Sequence, residues 1–279
     1  MTLFNTAFCQ SGERGARIEY NIDSENFLLY GRKIRAVIVG VSDYESENIA
    51  DLRYADDDAV AFHKWLVENT GADTSEIVLL LDSLTDPDRV KGKLYEQVKV
   101  SKPGDLVVFY YAGHGDVDTI MKNQAFLLMH KVRSNSDYFT DDGAFDIGNL
   151  IKVAELAAAR NIDFLLITDA CRSGRLVHSR LGAELTLTQL ASEWKKVHKI
   201  LSCQKDQLSM EDEKWGGGHG VFTYYLIEGL KGGADDNEDG TITFTDLKFY
   251  IENKVRMATD KKQLPELKGD DCNFVRVRK

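Results

Sequence analysis

Short apolar runs alternate with amphipathic stretches along most of this chain, and the alternation predicts its elements. Ile34 to Val41 is an almost continuous apolar run of strand length, closing on Gly40 and Val41. Ile77 to Leu81 predicts a second strand, Leu106-Val107-Val108-Phe109 a third, Ile162 to Thr168 a fourth and Val197 to Cys203 a fifth. Between them the period changes. Ala55 to Asn69 carries Ala59, Ala61, Phe62, Trp65 and Leu66 at helical spacing, with Asp56, Asp57 and Asp58 where carboxylates suit a helix dipole. Pro87 opens a helix to about Val100, with Thr85 or Asp86 as its cap. Asp146 to Arg160, Val221 to Leu230 and Thr245 to Met257 read as further helices, and Phe274 to Val277 as an edge strand. Strands alternating with helices imply an α/β fold with right-handed crossovers and a mostly parallel sheet. Residues 1–32 are weakly patterned and read as an N-terminal extension to one domain over 33–279. The connections 116–145 and 172–196 are long, and loops of that length near a site are often functional.

Two stretches following strands carry chemistry. One is Tyr110-Tyr111-Ala112-Gly113-His114-Gly115-Asp116 and the other Asp169-Ala170-Cys171-Arg172-Ser173-Gly174. Each puts its reactive residue just past a predicted strand end, where open α/β sheets bind ligands. His114 and Cys171 can therefore meet as an acid/base partner and a nucleophile. A free Cys is more often a small buried apolar residue. Gly113 and Gly115 around His114, and Gly174 after Cys171, let backbone approach a substrate and argue for the functional reading.

Composition narrows the setting. The formal net charge of −10 over 279 residues argues against a nucleic-acid surface, which would need a basic stripe. No apolar run approaches the roughly 18 residues of a membrane span, and Met1 to Tyr20 lacks the apolar core of a signal peptide. Cys9, Cys171, Cys203 and Cys272 have no C-x-x-C spacing, so a reducing cytoplasm is expected. Asp235, Asn237, Asp239, Thr241 and Asp246, with Gly240 at the sixth place, match the spacing of a twelve-residue calcium loop. Asp246 is shorter than the usual Glu, so calcium would bind weakly here, and no cofactor is expected to be required for the chemistry. His130, His178, His198 and His219 have no metal-ligand spacing and read as structural or surface residues.

The GHG stretch after one strand and the D-x-C-x-S-G stretch after another resemble the caspase and metacaspase cysteine peptidases, most closely the prokaryotic caspase-like proteins called orthocaspases. The likeness runs from about Lys33 to about Val255. Animal caspases have Gln two places before the nucleophile, where this chain has Asp169, the metacaspase pattern. The resemblance implies a six-stranded sheet between helical layers, with a large-subunit-like part over 33–180 and a small-subunit-like part over 197–279. It implies Cys171 as nucleophile, His114 as general acid/base, and the amides of Gly115 and Cys171 as an oxyanion hole. Leu52 to Ala59 resembles a metacaspase segment ending in Asn-Asp-Ala, although Tyr54-Ala55 stands where metacaspases have Gly-Cys. On that match Asp58 and Asp169 form an acidic S1 pocket for Arg or Lys, whose charge would offset two repelling carboxylates. The plainer reading of Asp56 to Asp58 is solvated helix-end charge. Expected partners are protein or peptide substrates with a basic P1 residue and an activating partner protein, with no nucleic acid and no membrane. Self-cleavage at Arg175, Arg180, Lys195 or Lys196 is a further expectation. Two rival readings are a non-enzymatic scaffold of caspase homology, and a calcium-controlled binding module.

Overall fold

A computed structural model describes residues 27–118, 124–134, 136–139, 142–172, 188, 190, 194, 197–204, 207 and 209–277. The central strands are β1 (Ile34–Gly40), β2 (Ile77–Leu81), β3 (Leu106–Asp118), β6 (Asp163–Arg172) and β7 (Val197–Leu201). In the connection after β3 lie β4 (Gln124–Leu128) and β5 (Ala144–Asp146). The sheet runs β2, β1, β3, β6, β7, with every neighbouring pair parallel. Its far edge is closed by an antiparallel strand, Glu266–Lys268.

Alternation along the strands builds two cores. Val37 and Val39 of β1, with Val107 and Phe109 of β3, face α2 (Pro87–Val100) and the helix Ile147–Ala159. Ile34, Ala36 and Ile38, with Leu106, Val108 and Tyr110, face α1 (Ala55–Thr70) and the helices Val221–Glu228 and Phe244–Ala258. Such continuous burial on both faces is why these strands read as unbroken apolar runs. The α2 cap is Asp86, whose carboxylate accepts from the amides of Asp88 and Arg89, with Pro87 in the first turn.

Three expectations need correction. His114 and Cys171 lie within strands, because β3 and β6 pair in parallel all the way to Gly115↔Arg172. Beyond that point β3 pairs antiparallel with β4, so an interval with loop-like composition is held extended by its neighbours. Asn273–Arg276 does not edge the main sheet, since it pairs with Thr241–Thr243 in a separate two-stranded ribbon. The helix from Val221 ends at Glu228 and passes into a π-helical turn over Gly229–Gly233.

The packed body also takes in the residues just before β1. Leu28 and Leu29 are buried and donate their amides to the carbonyls of Asn273 and Phe274 at 2.8 Å.

Candidate active site

The strand pair β3–β6 sets His114 and Cys171 directly opposite each other as Cα partners, with Gly115 opposite Arg172 one step on. Their separation in sequence is closed by sheet register, which brings the two reactive residue types side by side at the carboxyl end of the sheet. Gly115 is also paired on its other side with Leu127 of β4.

The loop after β1 orients the histidine. The His114 ring stacks on Tyr44 with centroids 5.0 Å apart, and the His114 amide donates to the Tyr44 hydroxyl at 2.9 Å. Nε2 lies 2.8 Å from the carbonyl oxygen of Ala50. A carbonyl can only accept, so Nε2 carries a proton, and in the neutral ring Nδ1 is the basic nitrogen. Gly113 is held where a side chain would not fit, since a β-carbon there would come within 2.5 Å of the Tyr111 hydroxyl. That hydroxyl is 2.7 Å from the carbonyl oxygens of both His114 and Leu128, tying the β3 extension to β4. Two residues beyond His114, the buried Asp116 accepts from the Tyr138 hydroxyl at 2.8 Å.

Asp58 and Asp169, predicted to share a pocket, come together around Gly220. Both are buried, at 3% and 4% exposure. A β-carbon on Gly220 would lie 2.7 Å from Asp58 Oδ2 and 2.8 Å from Asp169 Oδ2, so the two carboxylates flank one backbone carbon. Asp58 sits in the first turn of α1 but faces inward, unlike the solvated charge of the plainer reading. Its Oδ1 is hydrogen-bonded to His219 Nδ1 at 2.8 Å and its Oδ2 accepts from the Gly220 amide at 3.0 Å. Asp169 Oδ1 accepts from the Ser209 hydroxyl at 2.6 Å, and Oδ2 from the Thr223 hydroxyl at 3.0 Å. Thr223 in turn meets the Tyr110 hydroxyl, and Gln263 donates to Ser209 and to the Ser202 carbonyl. Burial and the nearby Asp169 carboxylate push the Asp58 carboxyl well above the usual carboxylate range. Glu211, whose carboxylate receives the amides of Arg53 and Tyr54, is also raised by burial.

Sequence reasoning missed much of this shell. His219, read as structural or surface, is instead hydrogen-bonded to Asp58. Its place directly before Gly220, in a Gly-rich run, was the signal available. Ser209, Thr223 and Gln263 carried no motif, and the Ala50 contribution is a backbone carbonyl that no side-chain pattern reveals.

A second Cys–His pair is chemically different. Cys272 Sγ lies 3.6 Å from His198 Nε2, but burial, with Asp271 and Asp163 nearby, pushes its thiol up to about 12. A thiol held protonated is a poor nucleophile. Cys203 is buried, with its sulfur 3.7 Å from the Gln207 carbonyl. His130 and His198 bond the backbone carbonyls of Asp43 and Asp270.

The 235–246 loop is held by its own Asx turns. Asp235 accepts from the amides of Asp239 and Gly240, Asn237 from Asp239, and Asp239 from Thr241. Asp246, the twelfth position, turns away into a capping box with Thr243 at the start of the following helix. Three of the five positions therefore cluster, while Asp246 is committed elsewhere. Among the described residues no group of three or more His, Cys, Asp or Glu side chains is arranged to hold a metal. Arg175, Arg180, Lys195, Lys196, Cys9 and His178 lie outside the described residues.

Comparison with known proteins accords with this geometry. A family model described as Caspase domain matches residues 33–273. Metacaspase-1 of Scheffersomyces stipitis is 36% identical over 91 residues, 30% of this chain and 22% of that protein. Metacaspase-1 of Kluyveromyces lactis is 33% identical over the same length, covering 20% of that protein. The match thus spans about a fifth of those relatives. Among solved structures, a protein from Geobacter sulfurreducens superposes with a TM-score of 0.59 at 17% identity, over 88% of this chain and 97% of that one. Caspase-1 from Spodoptera frugiperda superposes with a TM-score of 0.58 at 12% identity, over 95% and 99%. At those identities the structural likeness concerns the fold. No helix among the described residues is long and apolar enough to cross a membrane.

Proposed function

Since the chain belongs to the caspase-domain family, we propose that it is a cysteine endopeptidase cleaving after Arg or Lys with a Cys171–His114 dyad. The observation that carries the reading is the in-register pairing of His114 with Cys171. The scaffold reading is disfavoured because both reactive residue types are present at that pairing and the histidine has an orienting shell.

The thiol of Cys171 loses its proton to the basic Nδ1 of His114, and the sulfur attacks the scissile carbonyl carbon. The carbonyl becomes an oxyanion, for which the amides of Gly115 and Cys171 are the proposed donors, each worth about 3–4 kcal/mol in such sites. Collapse of this intermediate breaks the C–N bond, and His114 returns the proton to the leaving amine. Water then adds to the thioester, giving up a proton to His114, and the acid product leaves as the thiol reforms. Throughout, the Ala50 carbonyl holds Nε2–H and stabilises the imidazolium, fixing which nitrogen faces the chemistry.

Asp58 and Asp169 supply the specificity. Two buried carboxylates facing one another favour a cation between them, and a guanidinium can fork across both where an ammonium cannot. Hydrolysis of a fluorogenic peptide with Arg at P1, by wild type and by Cys171→Ala, tests the reading. Loss of all but about a thousandth of kcat in the variant is expected.

A further inference from the structure

Among the described residues the one side-chain hydrogen bond at Asp58 joins it to His219, and that contact sits between the buried carboxyl group and solvent. The His219 side chain is 22% exposed while that of Asp58 is 4% exposed. On its outer side His219 lines a cavity of about 290 Å³ between α1 and the helix Val221–Glu228, bounded also by Trp65, Tyr224 and Ile227. The imidazole thus stands between the acidic pair and water. The ring packs close to the Gly216 backbone, where a β-carbon would sit 3.0 Å from its Cδ2.

The surroundings bear on its charge. From α1 it is faced by Asp57 and Asp58, with Lys64 and Glu68 along the cavity. Asp212 stands opposite it and Glu211 opposite Gly220 in the short antiparallel pairing there, while Asp169 approaches from β6. Tyr224, Glu228 and Lys231 complete the ring from the helix and the turn beyond it. Burial lowers the imidazole's proton affinity, while burial and the Asp169 carboxylate raise that of Asp58, and the 2.8 Å bond couples the two groups so that they titrate as a pair. Within that pair one proton balances one carboxylate charge.

We propose that His219 is the positioning residue of the basic-specificity pocket, holding a proton against Asp58 in the free enzyme that a substrate guanidinium expels on binding. This rests on the acidic S1 reading above. The exchange balances: the Asp58–His219 pair with its one shared proton, plus the substrate cation, gives a carboxylate–guanidinium pair, neutral His219 and one proton released through the exposed edge of the ring. Arg binding is then proton-linked, strengthening as pH rises through the titration of the pair.

The test is calorimetric binding of a tripeptide amide ending in Arg, and of its norleucine counterpart, to the Cys171→Ala protein between about pH 5.5 and 7.5, in two buffers of different ionisation enthalpy. The same titrations are run with His219→Asn added, which keeps a donor near the Nδ1 position but cannot titrate. His219→Gln serves as a second variant, and melting curves confirm folding. The expected result is release of up to about one proton per Arg peptide and affinity rising by up to about tenfold per pH unit on the acid side. In His219→Asn the proton release falls at every pH to the part that Asp58 alone can hold, and affinity changes less steeply over the same span. Arg preferred over norleucine with no proton release, or with the same release in both variants, overturns the role of His219 and leaves the acidic pocket standing. No preference for Arg over norleucine overturns both.

Discussion

Gly220 donates its amide to Asp58 Oδ2 at 3.0 Å, and its α-carbon lies so close to the acidic pair that a β-carbon would fall 2.7 Å from that same oxygen and 2.8 Å from Asp169. The glycine is therefore part of the wall of the proposed S1 pocket. Neither oxygen belongs to a long flexible side chain, and both carboxylates are buried, so an added methyl must push one of them aside. Gly220→Ala is expected to lower kcat/KM for Arg-P1 peptides by at least about tenfold, mostly through KM, with a smaller loss of stability. Unchanged KM would show that the pocket does not bind P1.

Asp58→Asn should make the protein inactive toward Arg peptides yet more stable near neutral pH. The folded Asp58 titrates well above the ordinary carboxylate range because of burial and Asp169. The folded state therefore holds this proton more tightly than the unfolded chain does, so stability falls as pH rises from the ordinary range through the folded titration, and is level above it. Removing the charge removes that loss. A rise in melting temperature of roughly 2–4 °C is expected at pH 7.5, shrinking toward pH 4. A lower melting temperature at pH 7.5 would contradict the assignment of electrostatic stress to Asp58.

Cys272 should be dispensable. Its thiol, pushed up to about 12, is almost wholly protonated at neutral pH despite the neighbouring His198. Cys272→Ser should keep wild-type kcat within about twofold, and slow alkylation at pH 8 should leave Cys272 unmodified by intact mass. Parallel loss of activity and Cys272 thiol would point to the wrong cysteine.

Much of the scaffold was legible because β1, β2 and the buried parts of β3 and β6 are continuous apolar runs, and because Pro87 and Asp86 mark a helix start. The extensions of β3 and β6 were not. Gly113, His114, Gly115 and Asp116 have poor strand propensity, and they are extended because β6 pairs the first three and β4 pairs Gly115 and Asp116. Glu266–Lys268 was illegible for the same reason, since three residues become a strand only against β7. At the site, His114, Cys171, Asp58 and Asp169 stood out by motif. The Ala50 carbonyl and His219 are known only through contacts made across the fold.

Calcium at the 235–246 loop is proposed as a weak site. Asp235, Asn237 and Asp239 are already turned toward one another, but recruiting Asp246 would undo a helix cap worth about 1 kcal/mol. Calorimetry should find one site with a dissociation constant of about 10⁻⁴ to 10⁻³ M, abolished by Asp239→Ala. No heat and no change in melting temperature at millimolar calcium would leave the loop as an ordered turn.

The most direct measurement is kcat/KM across a peptide library varied only at P1. The buried pair Asp58 and Asp169 predicts cleavage after Arg, weaker cleavage after Lys because an ammonium cannot span both carboxylates, and none after Asp or large apolar residues. Asp169→Asn should lower the Arg value by a few hundred- to a few thousand-fold, the cost of stranding one partner of a buried charge pair, about 3–5 kcal/mol. Preference for Asp or for a large apolar residue at P1 would contradict the account.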